Sequence, residues 1–229
     1  MKRIKKITIQ QIIEFLGKDL LQVHGETKGV FIDHLADVEN TNETTLDWIN
    51  PSKTNKQEIA EKSKAKVILV DSSIDYSSEL QTQKKILLVV DNPKFQLAKI
   101  GNHFFIEKIT PIIHPTAIID SQSKIGKDVY IGPYTVIGRS LIGDGCFIDS
   151  NVRIHDNVTL GTDCVVKSGA VLGGEGFGFE KDEYGNRFRF PQIGGLLIGN
   201  NVEIGSNTTI DRGALSDTVI GDYCKINNL

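Results

Sequence analysis

Residues 131–160 decide the fold of this chain, and they read IGPYTVIGRSLIGDGCFIDSNVRIHDNVTL. Apart from one five-residue step, an aliphatic residue recurs at every sixth position of this stretch. The same spacing extends in both directions, and the aliphatic positions are Ile113, Ile119, Ile125, Ile131, Ile137, Ile142, Ile148, Ile154, Leu160, Val166, Leu172, Ile198, Ile204, Ile210, Ile220 and Ile226. A helix repeats about every 3.6 residues and a strand about every 2, so neither produces this spacing. A repeat of six residues predicts a hexapeptide β-helix.

The fourth residue after most of these aliphatic positions is small. These small residues are Ala117, Val129, Thr135, Cys146, Val152, Val158, Cys164, Ala170, Val202, Thr208 and Cys224. Each short strand is therefore expected to bury one large and one small side chain, which fills a narrow coil at normal packing density. All three cysteines of the chain occupy the small position. We interpret them as core residues rather than as nucleophiles or metal ligands.

Residues 1–108 do not show this repeat and have the pattern of an α/β domain. Thr8 and Gln11 form a capping-box pair ahead of apolar residues at helical spacing, which predicts a first helix. Short runs rich in β-branched residues at 67–70 and 86–90 predict buried strands.

A last helix of this domain is predicted from Asn92 and Pro93, which supply a cap and a first-turn proline. Phe95, Ala98 and Phe105 are expected on its apolar side. We therefore predict an α+β domain over 1–108 and a parallel β-helix over 109–229 with an insertion at 173–197.

Composition limits the class of protein. The chain has 229 residues, of which 39% are hydrophobic and 24% charged, and a net charge of −3. We expect no nucleic-acid partner, because the chain has no overall positive field, and no membrane span, because no uncharged run approaches ~18 residues. The basic start MKRIKKITIQQIIEFLG has no small-residue cleavage site, so it is not a signal peptide and we predict a cytoplasmic protein.

Several longer strings carry a resemblance to a known family. The insertion begins with GGEGFGFE at 173–180 and later carries FRFPQIGG, after which the repeat resumes as IGNNVEIGSNTTIDRGALSDTVIGDYCKINN. With VVDNPKFQLAKIGNHFF and IHPTAIID near the domain junction, these strings resemble the UDP-3-O-acylglucosamine N-acyltransferases of bacterial lipid A biosynthesis. The resemblance implies a left-handed, three-sided parallel β-helix that assembles as a homotrimer with active sites between neighbouring coils.

The resemblance also implies a reaction. A 3-hydroxyacyl group would pass from a thioester of acyl carrier protein to the 2-amine of a UDP-linked, 3-O-acylated glucosamine, with no bound cofactor. This chemistry needs a base for the amine proton and a donor for the thioester oxyanion. In the family the catalytic histidine follows the segment matched by 225–228, and this sequence reaches Leu229 first. Either the sequence is a shortened form, or the natural protein is short and has lost this step.

The resemblance further implies that the domain over 1–108 is like those that recognise nucleotide sugars, and a second departure concerns the nucleotide. The family holds uracil with aromatic residues in an S-F-x-x-N-P-x-Y-like stretch, of which Asn50 and Pro51 match. Asp47 and Lys53 stand where the aromatic residues would be. Trp48 offers a stacking face, or else belongs to the core of the domain.

His155 is the histidine of greatest interest, because it follows an inward aliphatic residue and should point out of the coil. It is a candidate second base or substrate contact, with a solvated histidine as the alternative. For Asp211 and Arg212 the alternative to lining the intersubunit cleft is a structural ion pair. The residues to which we assign substrate binding, mostly on the strength of the resemblance, are Trp48, Asn50, Phe177, Phe179, Gln192, Asp211, Arg212 and Asn228.

Three functions stay open at this point. The first is N-acyl transfer of the lipid A type, and the second is acyl or acetyl transfer onto another nucleotide-linked amino sugar. The third is a noncatalytic trimer that binds its ligands without turnover. The donor is acyl carrier protein or coenzyme A. No metal is expected, because no three-histidine arrangement spans the coil and a catalytic zinc needs three protein ligands.

Overall fold

The computed structural model describes residues 6–36 and 40–229, and the chain forms two compact units, Met1–Lys108 and Ile109–Leu229. The elements described in the first unit are β1 (Ile7–Thr8), α1 (Ile9–Leu16), a 3₁₀ turn (Gly17–Asp19), β2 (Leu20–His24), β3 (Phe31–Ile32), β4 (His34–Leu35), β5 (Thr45–Trp48), α2 (Lys56–Lys62), β6 (Val67–Val70), α3 (Ser78–Thr82), β7 (Ile86–Val90) and α4 (Pro93–Phe104).

A five-stranded sheet of order β2-β7-β6-β5-β4 forms the centre of the first unit. Strand β2 is antiparallel to β7, and the other neighbours are parallel. Strands β6 and β7 are completely buried because their side chains alternate between two apolar clusters. One cluster includes residues of α1 and α4, and the other includes residues of α2 and α3. This confirms the predicted α+β domain with buried strands at 67–70 and 86–90.

The first and last helices of this unit begin where the sequence predicts. Helix α1 starts after a complete capping box of Thr8 and Gln11. In α4 the side chain of Asn92 accepts a hydrogen bond from the backbone N of Phe95, with an N···O distance of 3.1 Å. The predicted apolar side of α4 is wrong at two positions. Phe95 and Ala98 are exposed, whereas Gln96 and Ile100 are buried, because packing against the sheet selects the face.

The second unit consists of short strands. They are β8 (Ile118–Ile119), β9 (Lys124–Ile125), β10 (Tyr130–Ile131), β11 (Val136–Ile137), β12 (Leu141–Ile142), β13 (Phe147–Ile148), β14 (Arg153–Ile154), β15 (Val158–Leu160), β16 (Val165–Val166), β17 (Val171–Gly174), β18 (Phe179–Lys181), β19 (Arg187–Arg189), β20 (Leu196–Ile198), β21 (Glu203–Ile204), β22 (Thr209–Asp211), β23 (Thr218–Ile220) and β24 (Lys225–Ile226).

Three parallel sheets form the sides of a coil. Their strand orders are β10-β13-β16-β21-β24, β22-β17-β14-β11-β8 and β23-β20-β15-β12-β9. Consecutive strands thus go to different sheets, and each complete turn contributes one strand to each side. The unit is the predicted left-handed parallel β-helix. Its core is a continuous column in which the aliphatic position and the small position are both buried over most turns.

The corners of the coil follow a pattern that the sequence analysis did not identify. The third residue after an aliphatic position adopts φ between 55° and 62° in eight of the six-residue repeats, at Asp128, Tyr134, Asn151, Asn157, Asp163, Asn201, Asn207 and Tyr223. Gly145 and Gly169 occupy the same corner position with positive φ. Asparagine, aspartate and glycine tolerate the left-handed conformation better than other residues, which accounts for their recurrence at this position.

The insertion folds as an exposed antiparallel hairpin. Strands β18 and β19 pair through Phe179↔Arg189 and Lys181↔Arg187, and all six of their residues are exposed. Over the described parts of the chain, every helix is too short or too polar to cross a membrane.

Candidate active site

Three successive turns of the coil bring His155, Gly173 and Arg212 to one corner. The preceding inward residues are in register, with Ile154 paired to Leu172 and Leu172 paired to Ile210. His155 and Gly173 follow directly on paired residues, but the register shifts by one residue after Leu172, so that Gly174 pairs with Asp211 and Arg212 comes next at the same corner. Positions that lie far apart in sequence thereby become neighbours.

His155 is half-buried at this corner. Burial holds the pKa of the His155 imidazole below its ordinary value, and the positive charges of Arg153 and Arg212 act in the same direction. The carboxylates of Asp156 and Glu175 oppose this shift. The imidazole is therefore unprotonated near neutral pH, which is the form that can accept a proton.

Arg212 uses its guanidinium to hold backbone rather than an acidic side chain. Its Nε donates to the carbonyl oxygen of Gly173 at 2.8 Å, and its terminal nitrogen donates to the carbonyl oxygen of Asp156 at 3.0 Å. Among the described residues, no ion pair joins Arg212 to Asp211 or to any other carboxylate. The alternative of a structural ion pair is wrong, because no described carboxylate oxygen lies within 4.0 Å of an Arg212 side-chain nitrogen.

The structure brings Phe177, Phe179 and Gln192 together on the insertion. The rings of Phe177 and Phe179 meet edge to face with 4.9 Å between centroids, and Phe177 is 90% exposed. The Gln192 amide lies against the backbone of Gly176 and Gly178, where an added Cβ would stand 2.8 Å from Oε1 and 3.4 Å from Nε2 respectively. The alternating glycines thus allow the amide to lie directly on the backbone between β17 and β18.

A groove of 420 Å³ lies on one side of the coil, and the sequence analysis did not identify it. Its lining residues are Gln122, Arg139, Ser140, Leu141, Asn157, Val158, Thr159, Ile193, Gly195, Leu197 and Asp217. Several of them are outward residues of β12, β15 and β20, which the six-residue repeat could have placed in one row. The groove combines hydroxyl, amide and charged groups with aliphatic side chains.

Asn228 belongs to a ladder of side chains at the corners of the coil. Its Oδ1 accepts a hydrogen bond from the backbone N of Ser206 at 2.6 Å. Asp144 and Asp222 accept the same kind of bond from Lys127 and Asn200, in each case from the turn before. The structure therefore gives the Asn228 oxygen a structural partner.

In the first unit, Asn50 does not line the cavity to which Trp48 belongs. Trp48 is half-buried against the core and lines a 370 Å³ cavity with Leu97 and Phe105. Asn50 is not among the residues lining that cavity, and its Oδ1 accepts hydrogen bonds from the N and Oγ of Ser52, both at 3.0 Å.

Asp47, which stands at an aromatic position of the family pattern, is 1% exposed. Its carboxylate accepts hydrogen bonds from Ser63 Oγ at 2.6 Å and from the backbone N of Trp48 at 2.8 Å. Asp47 is thus a buried structural carboxylate and offers no face to a ligand.

Cys146 and Cys164 are buried in the column of small residues, as the spacing predicts. Their thiols donate to the carbonyl oxygens of Gly161 and Gly199, at 3.0 and 3.1 Å. The hydrogen bond with Cys164 and burial raise the pKa of the Cys146 thiol, which keeps it protonated. Within residues 6–36 and 40–229, no three His, Cys, Asp or Glu side chains are grouped to hold a metal ion.

Comparison with known proteins adds independent information. Residues 139–174 match the family model of the bacterial transferase hexapeptide (six repeats). A UDP-3-O-acylglucosamine N-acyltransferase of Polynucleobacter asymbioticus is 30% identical over 94% of this chain and 68% of that protein. The protein of the same name from Pseudomonas syringae pv. tomato is 36% identical over 97% of this chain and 66% of its own length, and that from Coxiella burnetii is 35% identical over 72% and 53%.

The chain thus spans between about half and two thirds of the length of these relatives. Among solved structures, UDP-N-acetylglucosamine O-acyltransferase of Moraxella catarrhalis is 26% identical, with a TM-score of 0.40 over 50% of this chain and 48% of that one.

Proposed function

The chain belongs to the UDP-3-O-acylglucosamine N-acyltransferase family, and from this membership we propose that it acts in the N-acylation of a UDP-linked amino sugar. The reaction is transfer of a 3-hydroxyacyl group from a thioester of acyl carrier protein to the 2-amine of UDP-3-O-acylglucosamine. The observation that carries the proposal is the 30% identity to such a relative over 94% of this chain, which includes both units and the insertion.

The chemistry assigns a role to His155. The amine nitrogen attacks the thioester carbonyl, a C–N bond forms, the C–S bond breaks, and the carrier leaves as a thiol. The amine must lose a proton as the C–N bond forms. His155 is held unprotonated by burial and by two neighbouring arginines, so it can take this proton or hold the amine through a hydrogen bond. We assign it as a second base beside the family's principal histidine.

The insertion supplies the proposed acyl or sugar pocket. The edge-to-face pair of Phe177 and Phe179 offers apolar surface to an acyl chain, and the Gln192 amide offers a donor and an acceptor to hydroxyl groups. Asp211 is exposed at the end of β22, where it can reach a ligand.

Nucleotide recognition is proposed for the first unit. Within the described chain, the Asn50 amide nitrogen has no hydrogen-bond acceptor, so it is free to donate to a carbonyl of the base. Trp48 presents its exposed edge in a different cavity, so we assign it a separate contact rather than stacking next to Asn50.

A homotrimer is proposed for the assembly. The outer faces of the coil carry exposed apolar or aromatic side chains at Ile118, Tyr134, Leu141, Leu197, Val219 and Tyr223. Contacts between three copies would remove this surface from water and give the outer clefts a second wall. Light scattering of the purified protein should report three copies, and a stable monomer would contradict the assembly.

The function is tested with the full gene product that contains residues 1–229. The protein is incubated with a 3-hydroxyacyl carrier-protein thioester and UDP-3-O-acylglucosamine, and the N-acylated product is measured by mass spectrometry. A parallel reaction with the coenzyme A thioester identifies the donor. Turnover of a different UDP amino sugar alone would favour the second candidate acceptor, and UDP binding without turnover of any acceptor would favour the noncatalytic trimer. Absence of both turnover and binding would refute the proposal.

The role proposed for His155 in the reaction is tested with a variant of that residue. We expect His155→Gln to lower kcat while the binding of UDP, measured by calorimetry, stays as in the wild type. An unchanged kcat would remove His155 from the reaction.

A further inference from the structure

Residues 212–217 contact both ends of the insertion, and we call them the bracket. At the outgoing end, the Arg212 guanidinium Nε donates to the carbonyl of Gly173, and its backbone N donates to the carbonyl of Gly174, both at 2.8 Å. At the returning end, the backbone N of Ile193 donates to Ala214 O at 2.7 Å. The backbone N of Gly195 donates to Asp217 Oδ1 at 2.6 Å.

The bracket and the returning end of the insertion lie too close for side chains. A Cβ added to Gly213 would stand 1.7 Å from the carbonyl oxygen of Ser216, and one added to Gly194 would stand 2.2 Å from the same atom. Because the obstructing atom belongs to the backbone, it cannot move aside as the end of a side chain would. Gly213 therefore allows the bracket to fold tightly on itself, and Gly194 allows the insertion to meet the bracket backbone to backbone.

Arg212 also reaches a third turn of the coil. Its terminal nitrogen donates to the carbonyl of Asp156, which directly follows His155, at 3.0 Å. One guanidinium thus connects the turn that carries His155, the start of the insertion and its own turn. A planar fork with several donors suits this task, because it can satisfy two carbonyls in different directions.

We propose that Arg212 and Asp217 are positioning residues, which fix the two ends of the insertion on the coil and so set the position of Phe177, Phe179 and Gln192 relative to the turn that carries His155. This assignment differs from the expectation that Arg212 itself contacts substrate. The consequence for acyl transfer rests on the proposed function, whereas the attachment of the insertion is measurable in the absence of any substrate.

Hydrogen–deuterium exchange of the full-length protein tests the attachment. We expect Arg212→Met and Asp217→Ala each to speed exchange of the amides in 174–195 by about tenfold or more, because each loses a hydrogen bond made by a charged group. Arg153→Met is the control for the first, since Arg153 is an exposed arginine on the same corner with no side-chain partner in the described chain. Asp222→Ala is the control for the second, since Asp222 accepts the same corner bond, from Asn200 N at 2.7 Å, away from the insertion.

Unchanged exchange in 174–195 for both bracket variants would overturn the proposal, and so would an equal increase across all turns of the coil. Arg212→Lys is the second variant, which keeps the charge and one donor group if Arg212→Met fails to fold. We expect the amides in 174–195 of Arg212→Lys to exchange faster than in the wild type but more slowly than in an unprotected peptide. Exchange at the wild-type rate in the folded Arg212→Lys protein would count against Arg212.

The rate of acyl transfer provides a second measurement on the same variants. If the proposed function holds, Arg212→Lys should retain a larger share of kcat/KM than Arg212→Met. The control Arg153→Met should leave hydrogen–deuterium exchange in 174–195 unchanged. A wild-type protein that transfers no acyl group would refute the proposed function. The exchange measurement would then still show whether Arg212 and Asp217 hold the insertion on the coil.

Discussion

Gly161 stands where two turns of the coil approach closely, so Gly161→Ala should destabilise the β-helix. An added Cβ would lie 2.6 Å from both the carbonyl carbon and the oxygen of Gly199 in the next turn, which is 0.8 Å inside the 3.4 Å at which ordinary contact begins. These are backbone atoms, so relief requires the turns to separate. Separation of the turns lengthens the hydrogen bond from the backbone N of Gly161 to the carbonyl oxygen of Ile198, in which the N···O distance is 2.8 Å.

The magnitude follows from two contributions. Overpacking of a close-packed interior costs about 1–3 kcal/mol, and weakening one or two hydrogen bonds between turns adds about 1 kcal/mol. We therefore expect Gly161→Ala to lower the free energy of unfolding by about 3 kcal/mol. For a chain of this length, that corresponds to a fall in melting temperature on the order of 6–12 °C.

Urea denaturation followed by circular dichroism measures the change, and calorimetry gives the melting temperature. Gly174→Ala is the control, because its added Cβ would meet only the side-chain oxygen of Asp211, at 3.1 Å, which can rotate away. We expect the control to change stability by less than about 0.5 kcal/mol. A Gly161→Ala protein as stable as the control would refute the close stacking of turns on which the coil depends.

Three further outcomes are expected. Ile148→Ala should cost about 2–5 kcal/mol in urea denaturation, because Ile148 is fully buried in the column and the cavity cannot collapse; a loss below about 1 kcal/mol would contradict the burial. Arg212→Met should raise the pKa of His155 in an NMR titration, because the positive charge of Arg212 disfavours the protonated imidazole. Burial and Arg153 act in the same direction as Arg212, whereas Asp156 and Glu175 favour the protonated form. An unchanged or lower pKa of His155 would contradict the corner geometry. The folded-state pKa of His155 lies below the unfolded value, so its contribution to stability is present above about pH 6.5 and is lost as the pH falls; His155→Gln should reduce this acid dependence, and an identical pH profile would argue against the shift.

The coil could be predicted almost completely from particular residues. Ile148, Ile154 and Leu160 recur at a spacing of six residues, and each is buried where that spacing places it. The small residue four positions later is equally regular, so Cys146 and Cys164 could be assigned to the core. Each repeat meets only its neighbouring turns, so a local pattern is enough to specify the whole column.

The candidate site was less accessible to prediction from sequence. Arg212 was expected to line a cleft or to pair with Asp211, and its observed partners are backbone carbonyls. Backbone carbonyls carry no sequence signal, since every residue has one. The same holds for Asn228, whose oxygen accepts a backbone N–H of the previous turn.

The sequence by itself determined that the second half of the chain is a coil and which side chains fill it, because burial in a repeat depends on spacing along the chain. Only the tertiary structure decided which residues meet at the corners. Arg212 contacts carbonyls 39 and 56 positions earlier, in two different turns. Which residues meet in this way depends on how many residues the chain places between successive turns, the insertion included. It also depends on how the backbones of those turns stack.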